Sequence, residues 1–303
     1  MQLSLTRKFV KIVIYVWRLN VHVDTSGLQG KGKHIYMSIY HKVIGEGYPI
    51  VMLHGWTLDH QVMLHAMEPL FDNRSGWKRI YIDLPGMGQS EAQPSIQNSD
   101  DILEAILRLL DEVIPGQPFI ICGNSYGGYI ARGIVRSRQD TIRGLLLMAP
   151  MTIPEFDERI VPQQTVLKRD SNLISHLSLE DADEFCSMGV VQGQTEWERF
   201  QSEILLPSKQ INYEFLNHIR QNGYGFTFNI SSKLEYPTLI ITGRQDNVVG
   251  YHDAWRLIED YPRATFAVLD MAGHNLQIEQ NDVFNALVHN WLNRLESENF
   301  RPV

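Results

Sequence analysis

Cysteine is scarce in this 303-residue chain, which carries only Cys122 and Cys186. Neither sits in a Cys-x-x-Cys or Cys/His cluster, so disulfide exchange and a sequence-local zinc site are excluded, and two free thiols fit a reducing cytoplasm. Basic residues are not in excess either. The formal net charge is −8, which leaves no broad basic surface for a phosphate backbone, so no nucleic-acid partner is expected. Long apolar runs are missing as well. The amino-terminal stretch holds Arg7, Lys8, Lys11 and Arg18 with no acid before Asp24, but its uninterrupted apolar run is only Ile12 to Trp17. A secretory signal needs a run of about 7 to 15 residues and a spanning helix about 20, so stable membrane insertion is not expected. Residues 1–32 read as an extension: an edge strand, a surface amphipathic segment, an addition upstream of a shorter natural start, or a basic segment in weak contact with a membrane surface.

What is present is globular in composition, with 44% hydrophobic and 20% charged residues. From Lys33 onward, short apolar runs ending in loop signals alternate with longer amphipathic stretches, the pattern of an α/β sheet. "HIYMSIYHKVI" alternates its side chains and turns at Gly45-Glu46-Gly47 into "YPIVMLHG", which reads as a hairpin leading to a buried strand. "RIYIDLPG", "PFIICGNS", "GLLLMAP", "PTLIITGRQD" and "TFAVLDMAGH" follow as buried strands. Runs that are apolar on both faces suit parallel strands covered by helices. "SDDILEAILRLLDEVIPG" supplies one such helix, with Ser99 or Asp100 as its cap and Pro115-Gly116 as its end; "DVFNALVHNWLNRLE" supplies another. Between about Met151 and Ser232 prolines and charges increase and no buried strand is expected, so 151–232 reads as a helical insertion. The predicted core is 33–150 with 233–298.

Gly123-Asn124-Ser125-Tyr126-Gly127 stands between a strand and a helix. A serine in so tight a turn takes up a strained backbone, and glycines on either side remove the β-carbons that would collide. Its hydroxyl then stands clear of the main chain. The helix beginning near Tyr126 directs unpaired N–H groups toward that oxygen and favours negative charge beside it.

With that motif in its strand-turn-helix setting, the chain resembles the α/β-hydrolase superfamily from about His34 to Leu295. The resemblance implies a mostly parallel central sheet flanked by helices, with a helical cap inserted after the sixth strand. "LHGWTLDH" is similar to the family's His-Gly loop after its third strand, which implies that the backbone N–H groups of Trp56 and Tyr126 form an oxyanion hole. "DLPGMGQS" resembles a loop that shapes the pocket floor, making Asp83 structural. "ITGRQDNVV" and "LDMAGHNLQIEQ" supply Asp246 and His274, so that Ser125, Asp246 and His274 follow in the order this fold uses. His54, Gly55, Asn124 and Met151 are the candidate substrate contacts.

Other readings compete at each point. Asp246 could simply cap a following helix, and His54, His60 and His65 have spacings that do not bring their imidazoles to one helical face, so no metal is expected. Gly86-Met87-Gly88 lacks the third glycine and acidic partner of a dinucleotide fingerprint. No cofactor is expected. Phe156, Met188, Trp197, Phe200, Tyr213 and Phe215 either line a pocket or pack the cap's own core, and Arg159, Arg169 and Arg199 either grip a carboxylate or lie at the surface.

The expected partner is a small-molecule substrate of a monomer or homodimer. The first expectation is hydrolysis of a small or medium apolar carboxylic ester through an acyl-enzyme. The alternative is a carbon–carbon bond hydrolase of the meta-cleavage product type, which the Gly-Asn-Ser-x-Gly-Gly form resembles, although Asn275 stands where those enzymes commonly have Trp. A ligand-binding protein without turnover is the third.

Overall fold

The β-branched and leucine-rich runs form strands whose two faces both leave water. In the computed structural model, which describes residues 39–298, these are β1 (His41–Ile44), β2 (Tyr48–Leu53), β3 (Trp77–Ile82), β4 (Phe119–Asn124), β5 (Ile142–Met148), the short β6 (Lys168–Arg169) and β7 (Val191–Gln192), β8 (Thr238–Gly243) and β9 (Ala264–Leu269). Seven of them build one sheet in the order β1-β3-β2-β4-β5-β8-β9, with β1 antiparallel to β3 and the remaining neighbours parallel. The helices are α1 (Gln61–Met67), α2 (Ser99–Val113), α3 (Tyr126–Ser137), α4 (Ser171–His176), α5 (Leu179–Met188), α6 (Gln194–Phe200), α7 (Leu206–Ser208), α8 (Tyr213–Gly223), α9 (His252–Trp255), α10 (Leu276–Glu279) and α11 (Asn281–Ser297). None among the described residues is long and apolar enough to cross a membrane. The expectation for residues 1–32 lies outside the described residues.

Strand order decides where chemistry can sit. After β2 the chain crosses to β3 on one side, then returns to β4 on the other, so the loops leaving β2 and β4 diverge. A crevice opens at such a switch point, at the carboxyl ends of the strands. The His54–Thr57 loop and the turn at Ser125 occupy those two ends.

The sequence expectations differ from the structure in several places. β1 and β2 are joined at Gly45-Glu46-Gly47 but are not paired with each other, because β3 lies between them. The turn must therefore pass over the start of β3, and a Cβ on Gly47 would run into the backbone of Gly76. The cap of α2 is Asn98, whose Oδ1 accepts from the Asp101 N–H at 2.9 Å. Ser99 is buried and donates its hydroxyl to the Tyr224 carbonyl at 2.7 Å. β9 is half exposed instead of buried, since it forms the edge of the sheet. Counted over the described residues, the insertion follows β5. It also holds a small parallel ladder, β6 with β7, of which β7 is buried.

Candidate active site

Ser125 links β4 to α3 with φ 51° and ψ −117°, a conformation that costs an L-residue about 1 to 3 kcal/mol. The surrounding backbone holds it there. The Ser125 N–H donates to Met148 O at 3.0 Å, and the Ser125 carbonyl accepts from Gly128 at 3.0 Å, Tyr129 at 3.2 Å and Met151 at 3.0 Å. A Cβ on Gly127 would collide with the carbonyls of Leu53 and His54, and one on Gly123 with the backbone of Gly127. Glycine at both positions lets β2, β4 and α3 converge beneath the hydroxyl.

The His274 Nε2 lies 2.9 Å from Ser125 Oγ, and its Nδ1 lies 2.9 Å from Asp246 Oδ2. Asp246 is fully buried, and its other oxygen accepts the N–H groups of Val248 at 2.8 Å and Val249 at 3.0 Å. Burial works to raise the Asp246 pKa, but the imidazole and these hydrogen bonds outweigh it and hold the carboxyl below its usual range. The two loops that carry the acid and the imidazole are themselves tied together. Gln245 donates its N–H to Ala272 O at 2.9 Å and accepts from the Ala272 N–H through Oε1 at 3.1 Å. An ionised acid, a neutral imidazole and a hydroxyl in this chain can move the hydroxyl proton to Nε2 while the acid fixes the tautomer.

Of the two proposed oxyanion donors, Tyr126 is the first residue of α3 and Trp56 lies in the β2 loop. Neither backbone N–H has an acceptor among the described residues. The rings of these residues pack with a third that the sequence reading missed, Tyr224, which follows α8. Tyr224 stacks on Tyr126 at 5.0 Å and meets Trp56 edge-on at 4.9 Å. No periodic signal marked it, because it stands at a helix end far along the chain.

The candidate substrate contacts divide. Gly55 faces the serine: a Cβ there would lie 3.2 Å from Ser125 Cβ and 2.9 Å from Asn124 Oδ1. His54 is instead fully buried, donating through Nδ1 to Gly55 O at 2.7 Å and accepting the Leu84 N–H through Nε2 at 2.9 Å. Both ring nitrogens are consumed by backbone, and burial lowers its pKa, so it supports the loop as a neutral imidazole. Asn124 is buried with its amide on Met148 O at 3.3 Å, and Met151 is buried, its N–H donating to Ser125 O at 3.0 Å. The ring nitrogens of His54 and the amide nitrogen of Asn124 are thus engaged by backbone, and all three side chains are buried.

The three histidines that suggested a metal are engaged by protein groups, and His54 and His60 flank one carboxylate, with Nε2 and Nδ1 at 4.0 and 2.9 Å from Asp83 Oδ1. His60 and its own N–H both bond Asp83 Oδ1, at 2.9 and 2.6 Å, while His65 lies 3.7 Å from Glu203. Asp83 also accepts from Gln89 N–H at 2.8 Å. Burial would raise its pKa, but these partners outweigh it and lower the value. In the insertion, Trp197 and Phe200 pack with Phe185 within the same buried apolar cluster as the sheet core, and Phe156 and Tyr213 are exposed. Phe215 lies on the Gly86 turn. Arg159 is spent on the carbonyls of Ile153, Pro154 and Val248, Arg199 on Glu203 and Gln277 O, and Arg169 is exposed.

Residues 49–281 match the family model described as Serine aminopeptidase, S33. The chain belongs to this family of α/β-hydrolases. A solved structure of an α/β superfamily hydrolase from Oenococcus oeni shares 30% identity and a TM-score of 0.78, covering 86% of this chain and 100% of that one. Among curated relatives, a 2-hydroxy-6-oxononadienedioate/2-hydroxy-6-oxononatrienedioate hydrolase of Burkholderia vietnamiensis is 25% identical over 96% of this chain and 97% of its own. A pimeloyl-[acyl-carrier protein] methyl ester esterase of Shewanella woodyi is 26% identical over 85% of this chain and 98% of its own. As an α/β-hydrolase the chain is a hydrolase; its bond and substrate are a separate question.

Proposed function

We propose that the protein is a serine hydrolase that cleaves a small or medium apolar carboxylic ester through an acyl-enzyme on Ser125. The observation that carries this reading is the unbroken contact from Ser125 Oγ through His274 to the buried Asp246. Oγ attacks the ester carbonyl as Nε2 takes its proton, and the carbonyl oxygen becomes an oxyanion facing the Trp56 and Tyr126 N–H groups. Each such donor is typically worth about 2.7 to 4 kcal/mol of barrier. Collapse expels the alkoxide, which takes the proton from His274 and leaves as the alcohol. Water, giving a proton to the same nitrogen, then attacks the acyl-enzyme and releases the acid and free Ser125.

In this reading residues 151–232 act as the cap that selects the substrate, and two free thiols support a cytoplasmic setting. The methyl esterase among the relatives supports an ester. The second reading, carbon–carbon hydrolysis, is supported by the dienedioate hydrolase relative and by the Gly-Asn-Ser-x-Gly-Gly turn, and Asn275 after His274 weighs against it.

Labelling with a fluorophosphonate followed by peptide mapping tests the nucleophile, with modification expected at Ser125 alone. Modification elsewhere, or none, overturns the reading. A panel of p-nitrophenyl acyl esters of increasing chain length beside a vinylogous diketo acid separates ester from carbon–carbon cleavage. Tight binding of one compound with no turnover of any would favour a non-catalytic binding protein.

A further inference from the structure

Glu279 closes α10 and is buried, yet no cation among the described residues is paired with it. Backbone N–H groups from two distant parts of the chain hold its carboxylate instead. Oε2 accepts from Gly273, the residue before His274, at 2.6 Å. Oε1 accepts from Val190 at 2.6 Å and from Val191, the first residue of β7, at 3.2 Å. One side chain therefore joins the insertion to the loop that carries the imidazole. The two surfaces also touch directly, since a Cβ on Gly273 would lie 3.0 Å from Val190 Cγ2 and 3.3 Å from Met188 O. A second tie runs beside the first: Arg199 of α6, held by Glu203, donates to Gln277 O of α10 at 2.9 Å.

A carboxylate is an expensive group to bury, and a leucine would fill the space more cheaply. Its chemistry suits this place because it presents two acceptor oxygens and no donor. An amide of the same shape offers one acceptor and one donor, so a glutamine must set N–H against N–H on one side.

We propose that Glu279 is a positioning residue: by bridging Gly273 to Val190 and Val191, it makes the seating of the insertion and the alignment of His274 on Ser125 a single event. The inference rests on the reading of His274 as the base. It predicts that the insertion influences the chemical step through the imidazole as well as binding substrate.

The test compares wild type, Glu279→Gln, His274→Ala and the double variant, each as the full chain checked by near-ultraviolet circular dichroism and thermal unfolding. Readouts are kcat and KM for a p-nitrophenyl ester and the rate of fluorophosphonate labelling of Ser125. Folded Glu279→Gln is expected to lose on the order of 10- to 100-fold in kcat and labelling rate, the scale set by an ångström of misplacement, with KM changed by less than about threefold. In the His274→Ala background the same substitution is expected to cost nothing further. A residue that only stabilises the fold would lower the melting temperature and leave kcat intact well below it. Unchanged kcat in folded Glu279→Gln, or a full loss added to that of His274→Ala, overturns the proposal. Should Glu279→Gln not fold, Glu279→Asp, which keeps the charge but withdraws it by one methylene, is read in the same way. Wild-type labelling in His274→Ala would instead remove the underlying reading of the base, a result distinct from any behaviour of Glu279.

Discussion

Ser125 is held by backbone hydrogen bonds and by close approaches that only glycine permits, whereas the side chains of Tyr224 and Trp56 meet in ring contacts. The first kind of support is intolerant of small displacements. A hydrogen bond weakens steeply with angle, and a β-carbon cannot be accommodated where two backbones touch. Ring packing is more forgiving, because a ring can be exchanged for another apolar group at a modest cost in contact energy. The glycine-framed turn of the site is thus intolerant of change, whereas the ring cluster of Tyr224 and Trp56 tolerates substitution more readily.

The sharpest way to break this contrast is at Asp246. Asp246→Asn is expected to lower kcat by about 10⁴-fold while the protein stays folded, since the amide favours the wrong imidazole tautomer. A loss smaller than tenfold would mean that the acid serves packing alone. Gly127→Ala probes the close approach: the added methyl meets the carbonyls of Leu53 and His54, so stability should fall by about 3 kcal/mol in denaturant unfolding. An unaltered midpoint would show the turn to be more yielding than its contacts suggest. On the insertion side, Tyr224→Leu should leave stability nearly unchanged. It should shift the preference between short and long acyl esters by about tenfold in relative kcat/KM, on the scale of about 1 to 3 kcal/mol per pocket group. Equal losses on every ester would place Tyr224 with the rigid half.

The smallest effect expected is on acid stability. His54 has its pKa lowered from 6.5 by burial, so the unfolded chain binds a proton there that the folded chain resists. The stability contributed by its neutral form is complete above about pH 6.5 and is lost as pH falls below it. Asp83 and Asp246, both lowered from 3.8, begin a second loss below that value. Glu279, raised from 4.5, has the opposite sign and recovers some stability as it protonates. Melting temperature followed from about pH 8 to pH 5 should decline from near 6.5, and a flat profile would contradict the buried neutral state of His54.

Legibility in the sequence followed the range of the interactions involved. The strand before Ser125, the helix after it and the glycines between them are local, and the pattern announced a turn whose φ is indeed positive. Asp246 and His274 each follow a strand end, and the folding of β8 beside β9 brings their loops together. The hairpin reading of β1 and β2 failed because short turns do not reveal that a third strand will enter between their arms. Asn124 stands next to Ser125 in sequence and His54 in the β2 loop, but their side-chain nitrogens bond backbone.

By itself, then, the amino-acid sequence determined the alternation of strands and helices, the glycine-framed serine and the order of serine, acid and histidine, all of which depend on neighbours a few residues apart. Only the tertiary structure decided that Tyr224 lies on Tyr126 and that Glu279 spans the insertion and the His274 loop. Those contacts join segments far apart in the chain, where no period or spacing rule constrains which residues meet.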